Sequence, residues 1–128
     1  MMRALWIRDC EPLLIEKNEF PLEVLQNMVG GLIEPFHTDW DKQYTAYCNE
    51  EGKINGVCKP QLALVVDGEL VDLVYGDVVV IGLNMEGETI SLGDAGLSDF
   101  SKRFMKGAVG LTEKDTGEEL IINAMVLR

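Results

Sequence analysis

The run Gly76-Asp77-Val78-Val79-Val80-Ile81-Gly82 decides the fold of this chain. It places three valines and an isoleucine in succession between two glycines, and β-branched side chains favour strands. An apolar run without polar alternation is typical of a strand that is covered on both faces. The sequence therefore predicts that Val78 to Ile81 form an interior strand.

The segments on either side of this run predict hairpins. Gln61 to Tyr75 contains two apolar stretches separated by Asp67-Gly68, a dipeptide that favours a tight turn. We interpret this segment as a hairpin, although a short helix before Asp67 fits the residues nearly as well. After the run, Glu86-Gly87-Glu88 predicts a turn into Thr89 to Leu92, which gives another hairpin.

Two short helices are expected. Pro21 suits the first position of a helix, and the apolar residues that follow it recur at helical spacing up to Val29. Gly30-Gly31 ends this pattern, because glycine adopts the left-handed conformation that closes many helices. We expect a helix from Leu22 to Val29 lying on the sheet, and a second helix from Ser98 to Met105.

The remaining apolar stretches predict further strands, and Pro35 confines one of them to a sheet edge or a bulge. They are Ala4 to Ile7, Leu13 to Ile15, Leu32 to Phe36, Tyr44 to Cys48, Ala108 to Thr112 and Leu120 to Val126. About eight strands and two short helices indicate an α+β fold with a strongly twisted or barrel-like, mainly antiparallel sheet. Residues 1–128 are expected to form a single domain.

The charge of the chain indicates which partners it favours. Twenty-two acidic and 11 basic residues give a net charge of −11, which argues against a nucleic-acid partner because phosphate contacts need a basic face. Such a charge favours a partner with a basic surface, and it is also an ordinary aid to solubility.

The apolar segments and cysteines bear on location. No apolar run approaches the roughly 20 residues of a membrane helix, so no membrane partner is expected. The three cysteines form an odd number without a secretory segment, which favours reduced thiols in the cytoplasm.

Three segments of the chain resemble domain-of-unknown-function family 3846. They are Leu25 to Glu34, Asn49 to Gly56, and Tyr75 to Gly82 followed by Glu86-Gly87-Glu88. The resemblance covers about residues 1–92, while the helix and hairpin of residues 93–128 look like an addition. It implies a habitat in bacteriophages, plasmids and gut bacteria, and it implies no particular reaction.

The sequence lacks the residue patterns that typically carry catalysis or bind metals. The chain has no nucleophile elbow, no phosphate-binding glycine loop before a helix, and no His-Glu metal motif. His37, Cys10, Cys48 and Cys58 lack the close pairing that zinc sites show. Two carboxylates flank Trp40, but this pattern is more typical of a solvated loop. We therefore predict no catalytic residues, no metal, no cofactor and no enzyme activity.

The doubled turn from Asn49 to Gly56 is the candidate recognition loop, because loops on rigid sheets often carry function. Its candidate binding residues are Asn49, Glu50, Glu51, Lys53 and Asn55. The alternative is that the residues serve only two sharp turns, with Gly52 and Gly56 adopting positive φ.

These features favour a non-catalytic accessory protein of a phage or other mobile element that binds a host protein through an acidic surface. Acidic proteins of this kind include mimics of DNA, although the carboxylates here are spread through turns. The alternative is a binding protein for a small, nucleotide-type ligand, for which Lys53, Lys59, Lys102 and Arg103 are the candidate contacts. Homo-oligomer formation is left open.

Overall fold

The computed structural model describes residues 1–52 and 59–128, which contain ten strands and two helices. The first half comprises β1 (Met2–Arg8), β2 (Glu11–Lys17), α1 (Leu22–Val29), β3 (Ile33–Asp39) and β4 (Tyr44–Asn49). The second half comprises β5 (Pro60–Val66), β6 (Glu69–Tyr75), β7 (Val78–Leu83), β8 (Thr89–Ile90), α2 (Asp94–Arg103), β9 (Phe104–Thr112) and β10 (Glu119–Val126).

The strands of the first half surround β7 in sheet A. The order is β2-β1-β7-β4-β3, and β8 also pairs with β7. Every pair in this sheet is antiparallel. All six residues of β7 are buried, which confirms the prediction of an interior strand.

Sheet B is formed by the two C-terminal hairpins and has the order β6-β5-β10-β9. Its hairpins are antiparallel, and β10 pairs with β5 in the parallel direction. The segment Gln61 to Tyr75 thus forms the expected hairpin around Asp67-Gly68, and not a helix. Asp67 and Gly68 both have positive φ, as a two-residue hairpin turn of this type requires.

The main core lies between the two sheets and against α2. Side chains of both sheets, among them Leu5, Val80, Leu62 and Met125, join Phe100 of α2 in one buried cluster. A second cluster forms where α1 covers the opposite face of sheet A, with Leu25 and Val29 packed near Val79 and Ile81. The helix from Leu22 to Val29 therefore lies on the sheet as predicted.

The sequence-based α+β class is confirmed, while the details of the sheet differ. The described residues have ten strands where about eight were expected, and they divide into two sheets, neither of which closes into a barrel. Pro35 lies on the edge strand β3, at a shift of register between Pro35 and His37, so both of its predicted roles are met.

The prediction for α2 was wrong at both ends. The helix begins at Asp94 and ends at Arg103, and was expected from Ser98 to Met105. Its first turn contains Gly96, which packs closely against Tyr44: an added Cβ there would lie 3.0 Å from the Cβ of Tyr44. It ends earlier because Phe104 and Met105 pair with β10 and so belong to β9.

Candidate functional site

Asn49 joins the end of β4 to the end of α1. Its side-chain amide donates to the backbone carbonyl of Val29 at 3.3 Å and accepts from the backbone N–H of Glu51 at 2.8 Å. Only 8% of the residue is exposed, and a Cβ added to Gly31 would lie 3.0 Å from its Nδ2. Asn49, predicted as a binding residue, therefore has a structural role that occupies both ends of its amide.

Gly52 is required at its position by a close backbone approach. A Cβ added there would lie 2.8 Å from the carbonyl oxygen of Tyr75. The expectation that Gly52 adopts positive φ was wrong, because its φ lies outside the left-handed range. Gly56, the other glycine of that expectation, lies outside the described residues.

These contacts bring together the described parts of the three segments that resemble the family. The end of α1 contacts Asn49, and Gly52 contacts the end of β6 at Tyr75. A small cavity of about 130 Å³ opens between sheet A and β6 beside this junction. Glu34, Glu50 and Asp72 are among its lining residues. The junction therefore presents carboxylates from two sheets around one depression.

The predicted binding residues divide into three groups. Glu50 lines the cavity and Glu51 is exposed beside it, so both are accessible to a partner. Asn49 is buried, and Lys53 and Asn55 lie outside the described residues. Within residues 1–52 and 59–128, Glu34, Glu50 and Glu51 make no salt bridge.

A larger cavity of about 600 Å³ lies between the end of α1 and the start of sheet B. Asp9, Cys10, Lys59 and Asp77 contribute charged or polar groups to its lining. Burial, together with the neighbouring carboxylates of Asp9 and Glu11, raises the pKa of the Cys10 thiol. That thiol is therefore a weak nucleophile at neutral pH.

The turn that carries Cys10 is held by two buried amides. Asp9 and Cys10 have φ values of 49° and 65°, which non-glycine residues rarely adopt. Gln61 accepts from the backbone N–H of Cys10 at 3.1 Å, and Asn123 donates to its carbonyl at 2.8 Å. These contacts fix the β1–β2 turn against sheet B.

A chain of titratable groups links sheet A to α2 and the C-terminal strand. The Tyr44 hydroxyl donates to Asp99 at 2.6 Å, so the Nε2 of His37, 2.9 Å away, must donate to the hydroxyl oxygen. Arg103 donates to Asp99 at 2.9 Å and to the carbonyls of Val126 and Leu127. Sequence reasoning missed this network because no motif spacing connects its members.

The network shifts the pKa of each of its members. Burial and the nearby Arg103 lower the pKa of His37, while burial and the bond to Asp99 raise the pKa of Tyr44. Desolvation opposes the ionisation of Asp99, but the hydrogen bonds from Tyr44 and Arg103 outweigh it and lower the pKa. The bond to Asp99 raises the pKa of Arg103. A tyrosine kept protonated is suited to holding structure together, and not to accepting a proton at neutral pH.

The other sequence candidates do not come together. Among the described residues no three histidine, cysteine or carboxylate side chains are grouped as metal ligands require. Asp39 accepts from the backbone N–H of Lys42 at 2.9 Å. Trp40 is 49% exposed, so it does not enclose its neighbouring carboxylates in an apolar pocket. Of the candidate phosphate contacts, Arg103 is bound to Asp99, Lys59 lines the large cavity, and Lys102 lies exposed on α2.

Neither of the two helices in the described part of the chain is long and apolar enough to cross a membrane.

The fold defines a two-sheet α+β protein whose diagnostic segments meet at the junction of α1, β4 and β6. The family model for the domain of unknown function DUF3846 matches residues 2–105, and the chain therefore belongs to this family. The match extends past the expected limit near residue 92, through α2 to the start of β9. No curated protein and no solved structure matches the chain.

Proposed function

We propose that the protein is a non-catalytic accessory protein of a phage or other mobile element, which binds a host protein with a basic surface and modulates it. The observation that supports this proposal is the group of carboxylates beside the junction of α1, β4 and β6. Glu34 and Glu50 line its depression together with Asp72, and Glu51 is exposed beside it.

The rigidity of the junction supports a recognition role. Glu50 donates its backbone N–H to the carbonyl of Leu32 at 2.8 Å, and Glu51 donates to Asn49. Gly52 follows directly and packs against Tyr75. The backbone that carries the two glutamates is thus fixed before a partner arrives, so that less conformational entropy is lost on binding.

The net negative charge of the chain also favours a basic partner. Within the described ranges, five cationic side chains are already paired with carboxylates of the same chain: Arg3, Arg8, Arg103, Lys106 and Arg128. The chain has 22 acidic and 11 basic residues, so the carboxylates outnumber the cations two to one. A basic partner would be attracted at long range and held by Glu50 and Glu51, whose backbone is fixed at the junction.

The alternative is a binding protein for a small ligand, and the observation that favours it is the cavity of about 600 Å³. Its volume falls in the range of small-molecule sites. Asp9 and Asp77 in the lining oppose an anionic ligand, and Lys59 is the one cation among the lining residues described. Binding or sequestering of a small, nucleotide-type ligand is therefore the less favoured function.

One experiment separates the two functions. The tagged full chain is used to capture proteins from a bacterial lysate, and small molecules released from the purified chain on denaturation are analysed by mass spectrometry. The proposal expects a protein that is retained at low salt, eluted at high salt, and lost when Glu50 and Glu51 are changed to lysine. A stoichiometric small molecule without such a protein would support the alternative.

A further inference from the structure

The open edge of β2 is apolar. No strand in the described part of the chain pairs with the side of β2 that faces away from β1. Leu13 and Leu14 on this edge are 55% and 50% exposed. Open strands with adjacent large apolar side chains are templates for pairing with another strand.

The backbone groups that face outward from β2 can be assigned. Arg3 donates its N–H to Ser91 at 2.9 Å and its carbonyl accepts from Leu92 at 2.8 Å, so both groups point away from β2. Its register partner Glu16 therefore has its own N–H and carbonyl on the open side. Because these directions alternate along a strand, Leu14 and Pro12 also face outward.

The sequence of β2 is complementary to itself in the antiparallel direction. When two copies are aligned with Leu14 opposite Leu14, Glu11 of each copy lies opposite Lys17 of the other and would be shared between Lys17 and Lys106 of its own chain, with which it forms an exposed salt bridge of 2.9 Å. The same alignment places Leu13 opposite Ile15. Opposite charges and apolar pairs at directly opposed positions stabilise antiparallel strands.

Pro12 is compatible with this alignment. Its missing N–H falls on the open side, where an unrelated strand would lack one donor. In the self-alignment Pro12 lies opposite Glu16, so its carbonyl accepts from the Glu16 N–H of the other copy. The central Leu14 pair exchanges two further hydrogen bonds, which gives four across the two-fold axis.

An apolar groove beside β2 would be completed by the second copy. It has a volume of about 320 Å³, and Leu14, Leu97, Phe100 and Phe104 are among its lining residues. Directly opposed residues of two paired strands point to the same face of the sheet. Leu14 of the second copy would therefore point to the face of the sheet on which this groove lies.

The other edge strands β3, β6 and β9 lack this complementarity, and β9 has a single charged residue, Lys106, so two copies of it cannot pair opposite charges. A self-alignment of β6 about its centre places Asp72 opposite a second Asp72, which is repulsive. The β3 edge has Pro35 and an irregular register. We propose that two copies of the chain form a symmetric dimer by antiparallel pairing of their β2 strands, which continues sheet A across both copies.

The dimer is tested by sedimentation of the full chain from about 1 μM to about 1 mM. The proposal expects a concentration-dependent dimer that persists or strengthens as salt is raised, because each copy has a charge of −11. Leu14→Lys should weaken it by about a hundredfold or more, and circular dichroism checks that this variant is folded.

The proposed register between the two β2 strands is tested by reversing the charges of Lys17 and Glu11. Lys17→Glu places like charges opposite each other at both ends and should weaken the dimer about tenfold, while Glu11→Lys combined with Lys17→Glu should restore part of the affinity. Lys42→Glu, the same charge change in the β3–β4 turn, is the control. A monomer at every concentration, or a dimer unchanged by Leu14→Lys, overturns the proposal, and no restoration in the double variant overturns the register.

Hydrogen exchange gives a residue-level readout. The amides of Leu14 and Glu16 should gain protection as the concentration rises, while those of Leu13 and Ile15 are already bonded to β1 in the monomer. This result does not depend on a host partner. Failure of the dimer would leave the proposed binding through Glu50 and Glu51 untouched, and the reverse also holds.

Discussion

The Asn49 side chain donates to the backbone carbonyl of Val29, and through this bond the end of β4 holds the end of α1. The two residues are 20 positions apart in sequence, and Asn49 is almost fully buried. The contact fixes the backbone from which Glu50 and Glu51 project. It is the structural basis of the candidate site.

The first prediction concerns this contact. Asn49→Ala should lower the free energy of unfolding by about 1–3 kcal/mol, because the Val29 carbonyl and the Glu51 N–H each lose a buried partner. Urea denaturation followed by circular dichroism measures the change. Asn27→Ala on the exposed side of α1 is the control and should shift stability by less than about 0.5 kcal/mol. Equal effects of the two substitutions would contradict the role of Asn49.

The second prediction concerns Gly52. Gly52→Ala should destabilise the protein by about 1–3 kcal/mol, because the added Cβ would approach the Tyr75 carbonyl and force the backbone to shift. Gly93→Ala is the control, since an added Cβ there meets no atom within 4 Å; Gly93 is the N-cap of α2, where alanine is less favourable than glycine, so a smaller loss of stability is expected from this variant. The comparison uses thermal unfolding of both variants. Similar melting temperatures would show that the approach to Tyr75 is unimportant.

The third prediction concerns the interior strand. Val80 is fully buried between β1 and β4, where an aspartate would have no partner. Burial of an unpaired carboxylate costs several kcal/mol against a total stability of about 5–15 kcal/mol, so Val80→Asp should unfold the chain. A soluble variant with unchanged melting temperature would contradict the position of β7.

The fourth prediction concerns His37, the single histidine of the chain. Its pKa is lowered in the folded protein, so the unfolded chain binds more protons between the ordinary value and the folded value. Stability should therefore fall as the pH drops from about 6.5 through the folded pKa. Titration of the one histidine by NMR measures the folded value without ambiguity. A pKa at or above the ordinary value would contradict the network.

The fifth prediction concerns the Tyr44 hydroxyl, which lies between His37 and Asp99 in the same network. Tyr44→Phe removes the bridge between His37 and Asp99 while keeping the buried ring, and should cost about 1–2 kcal/mol. Because the pKa of Tyr44 is raised, its contribution should be lost as pH rises above about 10 in the native protein and be absent from the variant. The expectation would be contradicted if the free energy of unfolding fell equally above about pH 10 in the native chain and in Tyr44→Phe.

The sequence predicted those features that depend on local chemistry. Pro35 restricted its strand to an edge or a bulge because it lacks a donor, and Asp67-Gly68 specified a hairpin because of its turn geometry. The run Val78 to Ile81 had to be interior because both of its faces are apolar.

Features that depend on distant contacts were beyond this reasoning. The boundaries of α2 were wrong because pairing with β10 draws Phe104 into a strand. The role of Gly52 depends on Tyr75, and the role of Asn49 depends on Val29. Glu50 and Glu51 were selected from the sequence, but only the structure brings Glu34 and Asp72 to the same cavity.

The central claim, that the carboxylates at this junction bind a basic partner, is tested by one affinity measurement. The Kd of the captured partner is compared for the native chain, for Glu50→Lys with Glu51→Lys, and for Asp115→Lys with Glu118→Lys in the β9–β10 turn. Both variants change the net charge equally, so that long-range attraction is matched. We expect the junction variant to weaken binding at least about tenfold more than the control and to flatten its salt dependence. Equal affinities for the two variants would contradict the claim.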